Sequence, residues 1–209
     1  MGFMKKVFAN TRKPQGFIGK MMAKGMNGGD HKRLANWGFS HVTFRGDEQA
    51  ADLGCGGGAN VMRLLQKIPN GTVKGLDYSE VSVAISRETN EAEIAKGRCE
   101  ILQGNVMDLP FADESFDVVT AFETIYFWPD LNKSFSEVFR TLKSGGFFMI
   151  TNESDGKNEK SLKWLDMIDG MRIYTADDLQ KVLADAGFTD IEIYDEVEKD
   201  RLCVVAQKA

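Results

Sequence analysis

Residues 52–58 read Asp-Leu-Gly-Cys-Gly-Gly-Gly, inside the stretch "EQAADLGCGGGANVMRLLQ". A short apolar run, 49–53, leads into the glycines, and a helical pattern, 59–67, leads out of them. Glycine at such a junction lets the chain turn tightly and lets a ligand approach the backbone without meeting a Cβ. Gly54, Gly56 and Gly58 give GxGxG, and Gly54, Gly56 and Ala59 also satisfy GxGxxG/A. Alone, the loop fits a dinucleotide, a phosphate or another nucleoside ligand.

The pattern continues outward from this loop. A second strand is expected over 72–76, followed by a helix capped by Ser79 and running to about Lys96, with Gly97 as its stop. Residues 100–102 and 116–121 read as the third and fourth strands. Residues 131–142 form an amphipathic helix with Leu131, Phe135, Val138, Phe139 and Leu142 on one stripe. Gly145-Gly146 ends it, and 147–151 is the fifth strand. Thr175 and Asp178 resemble a capping box for a helix to Ala186, with Gly187 past its end. Residues 191–194 and 202–206 are the last strands.

Strand and helix alternating in this way predict a parallel, doubly wound sheet. Only residues 196–201 separate the last two strands, too few for a parallel crossover, so these should form an antiparallel hairpin. The fold class is therefore α/β, a doubly wound Rossmann-like sheet, mostly parallel with a C-terminal antiparallel hairpin. Ligands of such sheets bind beyond the carboxyl ends of the strands, where strand order reverses. The glycine loop stands at the end of the first strand.

Two acids narrow the ligand. Asp77 closes the second strand, 23 residues after Gly54, where an acid accepts from both hydroxyls of a ribose. Asp52 lies two residues before Gly54 and would repel a pyrophosphate. It suits a ligand that carries positive charge and no phosphate. S-adenosylmethionine, with an adenosine, a sulfonium and an ammonium, has those properties.

The sequence here resembles the class I S-adenosylmethionine-dependent methyltransferases, in the branch acting mainly on small molecules. "DLGCGGG" resembles that family's first motif, and "VKGLDYS" its second strand with the ribose acid. "GNVMDLPFADESFDVVTAFETIYFWPD" resembles its adenine-binding segment, fourth strand and following loop, and "EVFRTLKSGGFFMI" its helix, tight turn and fifth strand. The resemblance implies a seven-stranded sheet whose last strand is antiparallel. It implies cofactor-binding roles for Asp52 and for Gly54, Gly56 and Gly58 of the loop. Asp77 would hold the ribose, Tyr78 would pack on the adenine, and Ala121 and Phe122 would line the methionine arm. Asn105 stands where the family usually has Asp accepting from the adenine amine, and Val106 would offer its amide to a ring nitrogen. Ser144 stands where the family often has proline.

After the fourth strand, residues 123–128 should face the methyl end of the cofactor. Glu123 and Tyr126 are the candidate catalytic residues. An acid among aromatic rings has a raised pKa and can act as a base, while Tyr126 occupies a position where related enzymes often carry His. Asn152 and Glu153, just past the fifth strand, are placed to meet an acceptor.

The domain expectation is an N-terminal helical cap over 1–46 and an S-adenosylmethionine-binding domain over 47–209, with 154–174 inserted as a lid. The cap reads as two helical pieces broken at Gly28-Gly29, with Asp30 as N-cap of the second. In the lid, Trp164, Met167 and Met171 should turn inward.

Charge and cysteine usage bound the rest. The net charge is −5, spread unevenly: residues 1–46 hold nine Lys/Arg and one acid, Asp30. The acidic balance of the remainder argues against a dedicated nucleic-acid binder, although the basic arm keeps a nucleic-acid or protein methyltransferase as an alternative. An NAD-dependent oxidoreductase is supported only by the GxGxxA reading. Cys55, Cys99 and Cys203 are odd in number and far apart, so neither a disulfide framework nor a metal site is expected. His31 and His41 do not have metal-site companions. There is no apolar run of about 18 residues to span a bilayer, and the N-terminus lacks a secretory core and a myristoylation Ser/Thr, Lys6 standing there instead. The expectation is a cytoplasmic monomer or homodimer acting on a small-molecule acceptor.

Overall fold

The structure, a computed structural model, describes residues 29–209. The first helical piece expected before Gly28 lies outside the described residues. The described chain begins with helix α1, Gly29–Phe39. Asp30 falls inside its first turn and not at its N-cap, because the helix already starts at Gly29.

Seven strands follow: β1 Gln49–Leu53, β2 Thr72–Asp77, β3 Cys99–Gln103, β4 Phe116–Phe122, β5 Leu142–Asn152, β6 Thr189–Glu196 and β7 Arg201–Gln207. They form one sheet in the order β3-β2-β1-β4-β5-β7-β6. The first five are parallel, and β7 is antiparallel to both β5 and β6. The expected architecture is the observed one.

Helices α2 (Ala59–Lys67), α3 (Glu80–Thr89) and α1 cover one face of the sheet, with Ala35, Phe39, Val61, Leu64 and Val83 packed on Ala50, Val118 and Met149. Helices α5 (Leu131–Thr141) and α7 (Ala176–Asp185) cover the other, where Phe135, Val138, Leu179 and Leu183 meet Val119, Phe148, Ile150 and Val204. Adjacent residues of β1 and β4 therefore bury on opposite faces, as strand geometry requires. α1 docks on β5 so closely that a Cβ at Gly38 would lie 2.5 Å from the Thr151 Oγ1.

Two boundaries differ from expectation for visible reasons. The helix expected from Ser79 to Lys96 divides at Asn90 into α3 and a short α4, Glu91–Ala95. The Asn90 amide donates to the carbonyls of Ser86 and Gly58, which ends α3 and ties it to the glycine loop. Strand β5 begins at Leu142, well before Gly145-Gly146, because Leu142 pairs with Phe116 across a register shift. Gly145, at a φ of 77°, then donates to Lys208, so the turn sits within the strand. The caps at Ser79 and Thr175–Asp178 form as expected, the latter as a full capping box.

Candidate active site

Strand order reverses between β1 and β4, and a cavity of about 1230 Å³ opens there beyond the strand ends. The glycine loop forms its floor. Gly54 has a φ of 74°, and both Gly54 and Cys55 donate to the Leu76 carbonyl. A Cβ on Gly54 would lie 1.9 Å from the hydroxyl of Thr124, so this glycine is required by close packing. Gly56 differs: its φ is 52°, nothing lies within 4 Å of where its Cβ would be, and it lines the cavity. That open space is a backbone cradle that a side chain would fill.

Asp77 stands beside the cradle. One carboxylate oxygen accepts from the Gly56 N–H at 2.9 Å and the other from the Ser79 N–H at 2.8 Å. Burial raises its pKa, against those hydrogen bonds. Its two oxygens keep lone pairs for further donors, the chemistry that a ribose diol needs. Tyr78 is 41% exposed at the cavity wall. Asn105 and Val106 also line the wall, and the Asn105 Oδ1 accepts from the Met107 N–H while retaining a second lone pair. The residues present fit an adenosine with an amino-acid arm.

Asp52, Gly58 and Ala121 do not line the cavity. Asp52 is only 2% exposed and turned beneath the loop, where the Thr120 hydroxyl donates to it at 2.7 Å. Burial pushes its pKa up to about 7, and the nearby Asp77 adds to the rise. Gly58 is the left-handed N-cap of α2, and the Ala121 side chain is buried on the α5 and α7 face.

Glu123 lines the same cavity. Its φ of 57° is a left-handed conformation rare for a side-chain-bearing residue, of the kind held at functional sites. Its Oε1 accepts from the Tyr126 hydroxyl at 3.0 Å and from the Glu153 N–H. Burial first, then the charge of Glu153, pushes its pKa up to about 8. Tyr126 is buried, and its own pKa is raised by burial and by Glu123. Phe122 and Glu153 line the same cavity.

Residues 154–174 contribute to the same lining. Their helix α6, Glu159–Met167, and the turn after it bring Trp164, Ile168 and Met171 to the cavity. The 3₁₀ turn Val197–Lys199 and the residues after it bring Glu198, Asp200 and Arg201. The hairpin tip was not foreseen as part of the site. The signal was present: β7 runs antiparallel to β5, so the tip preceding it returns to the carboxyl edge of the sheet. His31 lines the cavity mouth, whereas His41 stacks on Tyr194 with ring centroids 3.9 Å apart. Among the described residues no group of three or more His, Cys, Asp or Glu is arranged to hold a metal ion.

A doubly wound sheet with an antiparallel seventh strand, a glycine loop after β1 and an acid at the end of β2 is the arrangement of the class I methyltransferase fold. Residues 51–150 match the family model described as "Methyltransferase domain". Over these residues the chain is similar to S-adenosylmethionine-dependent methyltransferases. It is 44% identical over 96 residues to the demethylmenaquinone methyltransferase of Lactococcus lactis, covering 46% of this chain and 38% of that protein. It is 36% identical over 98 residues to 24-methylenesterol C-methyltransferase 2 of rice, Oryza sativa, covering 47% and 27%. The chain thus spans well under half the length of these two curated relatives. A solved S-adenosylmethionine-dependent methyltransferase from Aquifex aeolicus shares the fold at a TM-score of 0.75 and 17% identity, covering 91% of this chain and 98% of that one.

Proposed function

We propose that the chain transfers a methyl group from S-adenosylmethionine to a small-molecule acceptor. The observation that carries this reading is the convergence of Gly56, Asp77 and the strained Glu123 on one cavity. The two curated relatives, which act on demethylmenaquinone and on a sterol by their names, support a small acceptor.

When bound, the cofactor supplies a methyl carbon already activated by sulfonium. The backbone at Gly54 and Gly56 would hold its amino-acid arm, Asp77 its ribose, and Tyr78, Asn105 and Val106 its adenine. Phe122 would pack against the methionine arm. Asp52, when ionised beneath the loop, favours a positive ligand over a pyrophosphate. Glu123 would take a proton from the acceptor, and the Tyr126 hydroxyl would hold its Oε1 in place. Trp164, Ile168 and Met171, on a lid formed by residues 154–174, would exclude water and align acceptor with donor, which is the main demand of this displacement. We read helix α1, whose Asp30 and His31 line the cavity, as part of a cap over it. The three thiols are buried and unpaired, which supports a reducing compartment such as the cytoplasm.

The test is a metabolite screen that follows a labelled methyl group from S-adenosylmethionine. The expected result is one or a few labelled small products that are lost with Glu123→Gln. Label appearing only in protein or RNA would move the reading to a macromolecular acceptor, and no transfer to any fraction would contradict it.

A further inference from the structure

The cavity lining carries carboxylates without an ion-pair partner. Glu123, Glu153, Glu198 and Asp200 all line it, and no ion pair joins any of them to a basic side chain among the described residues. The basic groups that also line it have other partners. Lys199 and Arg201 both pair with Glu196, at 2.7 and 3.5 Å, and the Lys163 ammonium lies over the Trp164 ring at 5.3 Å. Asp30 at the mouth pairs with Arg33, outside the cavity lining.

Asp155 adds to this charge from behind. Its N–H donates to the Asp200 Oδ1 at 3.1 Å, while its own Oδ2 is buried with no hydrogen-bond partner. Asp200, which closes the 3₁₀ turn with its N–H donating to the Val197 carbonyl, is left-handed at a φ of 54°. Repulsion within the group raises the pKa of Glu123 and of Asp200, after burial. Aromatic side chains share the lining: Tyr126, Phe127 and Trp128, with Trp164, whose ring Lys163 covers. Uncompensated carboxylates with aromatic faces are the chemistry that recognises an organic cation. An anionic acceptor would add to the repulsion, and a neutral one would leave it unrelieved.

Resting on the methyl-transfer reading, we infer that the acceptor is an organic amine that enters as its ammonium ion, with Glu153 and Asp200 as its specificity-determining residues. The ammonium sits against the aromatic faces and neutralises the acids around it. Glu123, ionised, takes one N–H proton. The freed nitrogen lone pair forms a bond to the methyl carbon as the carbon–sulfur bond breaks, and that bond's electron pair stays on sulfur. The product amine carries the positive charge that the sulfonium gave up, and Glu123 ends protonated.

The experiment titrates the full chain, saturated with S-adenosylhomocysteine, with three probes of one shape: phenethylammonium, phenethyl alcohol and phenylacetate. The ammonium should bind at least about tenfold more tightly than the alcohol, and phenylacetate should bind most weakly. Glu153→Gln should bring the ammonium-to-alcohol ratio toward one. Because Glu153 is exposed, this variant should fold, and its melting curve verifies that. Equal or tighter binding of the alcohol or of phenylacetate would overturn the inference, as would a ratio unchanged by Glu153→Gln. If S-adenosylhomocysteine binds and the selectivity is absent, the amine inference alone fails. If S-adenosylhomocysteine does not bind, the methyl-transfer reading and the inference fall together.

Discussion

The Tyr126 hydroxyl donates to Oε1 of Glu123 at 3.0 Å and accepts from the Ser154 N–H at 3.1 Å. One phenol therefore links the loop after β4 to the start of the residue 154–174 segment. Its hydrogen bond favours the ionised form of Glu123, against a burial that favours the neutral form. Removing it with Tyr126→Phe should raise the Glu123 pKa further. If Glu123 is the base, the rate should rise with pH through about 8 in the parent, and at higher pH in the variant. A pH–rate profile of kcat/KM measures this, and a variant limb that does not move upward would remove Tyr126 from the role.

Glu123→Gln should lower kcat by about 10²–10⁴-fold, the usual contribution of a positioned base. Cofactor affinity should stay within about twofold, since the loss is confined to the chemical step. Single-turnover rates and cofactor titration separate the two. A large loss of cofactor affinity with little change in rate would place Glu123 in binding instead.

The same substitution should affect stability in the opposite direction. Folding raises the Glu123 pKa from the ordinary carboxylate range to about 8, so between those values the folded state binds the extra proton. Stability then falls as pH rises, and the contribution is gone above the folded pKa. Asp52, raised to about 7, behaves in the same way. Glu123→Gln and Asp52→Asn should therefore melt higher than the parent at about pH 9, with the margin shrinking toward about pH 5. Melting temperatures across that range check the sign, and a margin that grows on acidification would contradict it.

The two loop glycines should separate fold from binding. Gly54→Ala drives a Cβ into Thr124 at a positive φ and should cost about 2–5 kcal/mol of stability. Gly56→Ala meets open space and should cost only the left-handed penalty of about 1–2 kcal/mol. Its methyl group would occupy the cradle, so its main effect should be on cofactor affinity. Denaturant unfolding and cofactor titration distinguish the pair.

Much of this was legible in the sequence because it rests on local signals. The glycine loop, the acid at 77, the caps at Ser79 and Thr175 and the short 196–201 connection each act within a few residues. What the sequence did not disclose depends on distant partners. Asn90 ends α3 because it reaches Gly58, 32 residues away. Asp52 turns away from the cavity because Thr120, on the neighbouring strand, donates to it. Asp200 joins the cavity only because β7 folds back antiparallel beside β5. Glu123 was legible as an acid among aromatics, but its left-handed backbone and its bond to the Glu153 N–H required the folded sheet.

The central claim is that the Gly56 cradle and Asp77 hold S-adenosylmethionine. Calorimetric titration of the full chain with S-adenosylmethionine, and separately with NAD, tests it most directly. The account predicts one saturable site for S-adenosylmethionine, weakened about tenfold or more by Asp77→Ala through loss of the ribose hydrogen bonds, and no saturable binding of NAD. Saturable binding of NAD alone, or S-adenosylmethionine affinity unchanged in a folded Asp77→Ala variant, would contradict it.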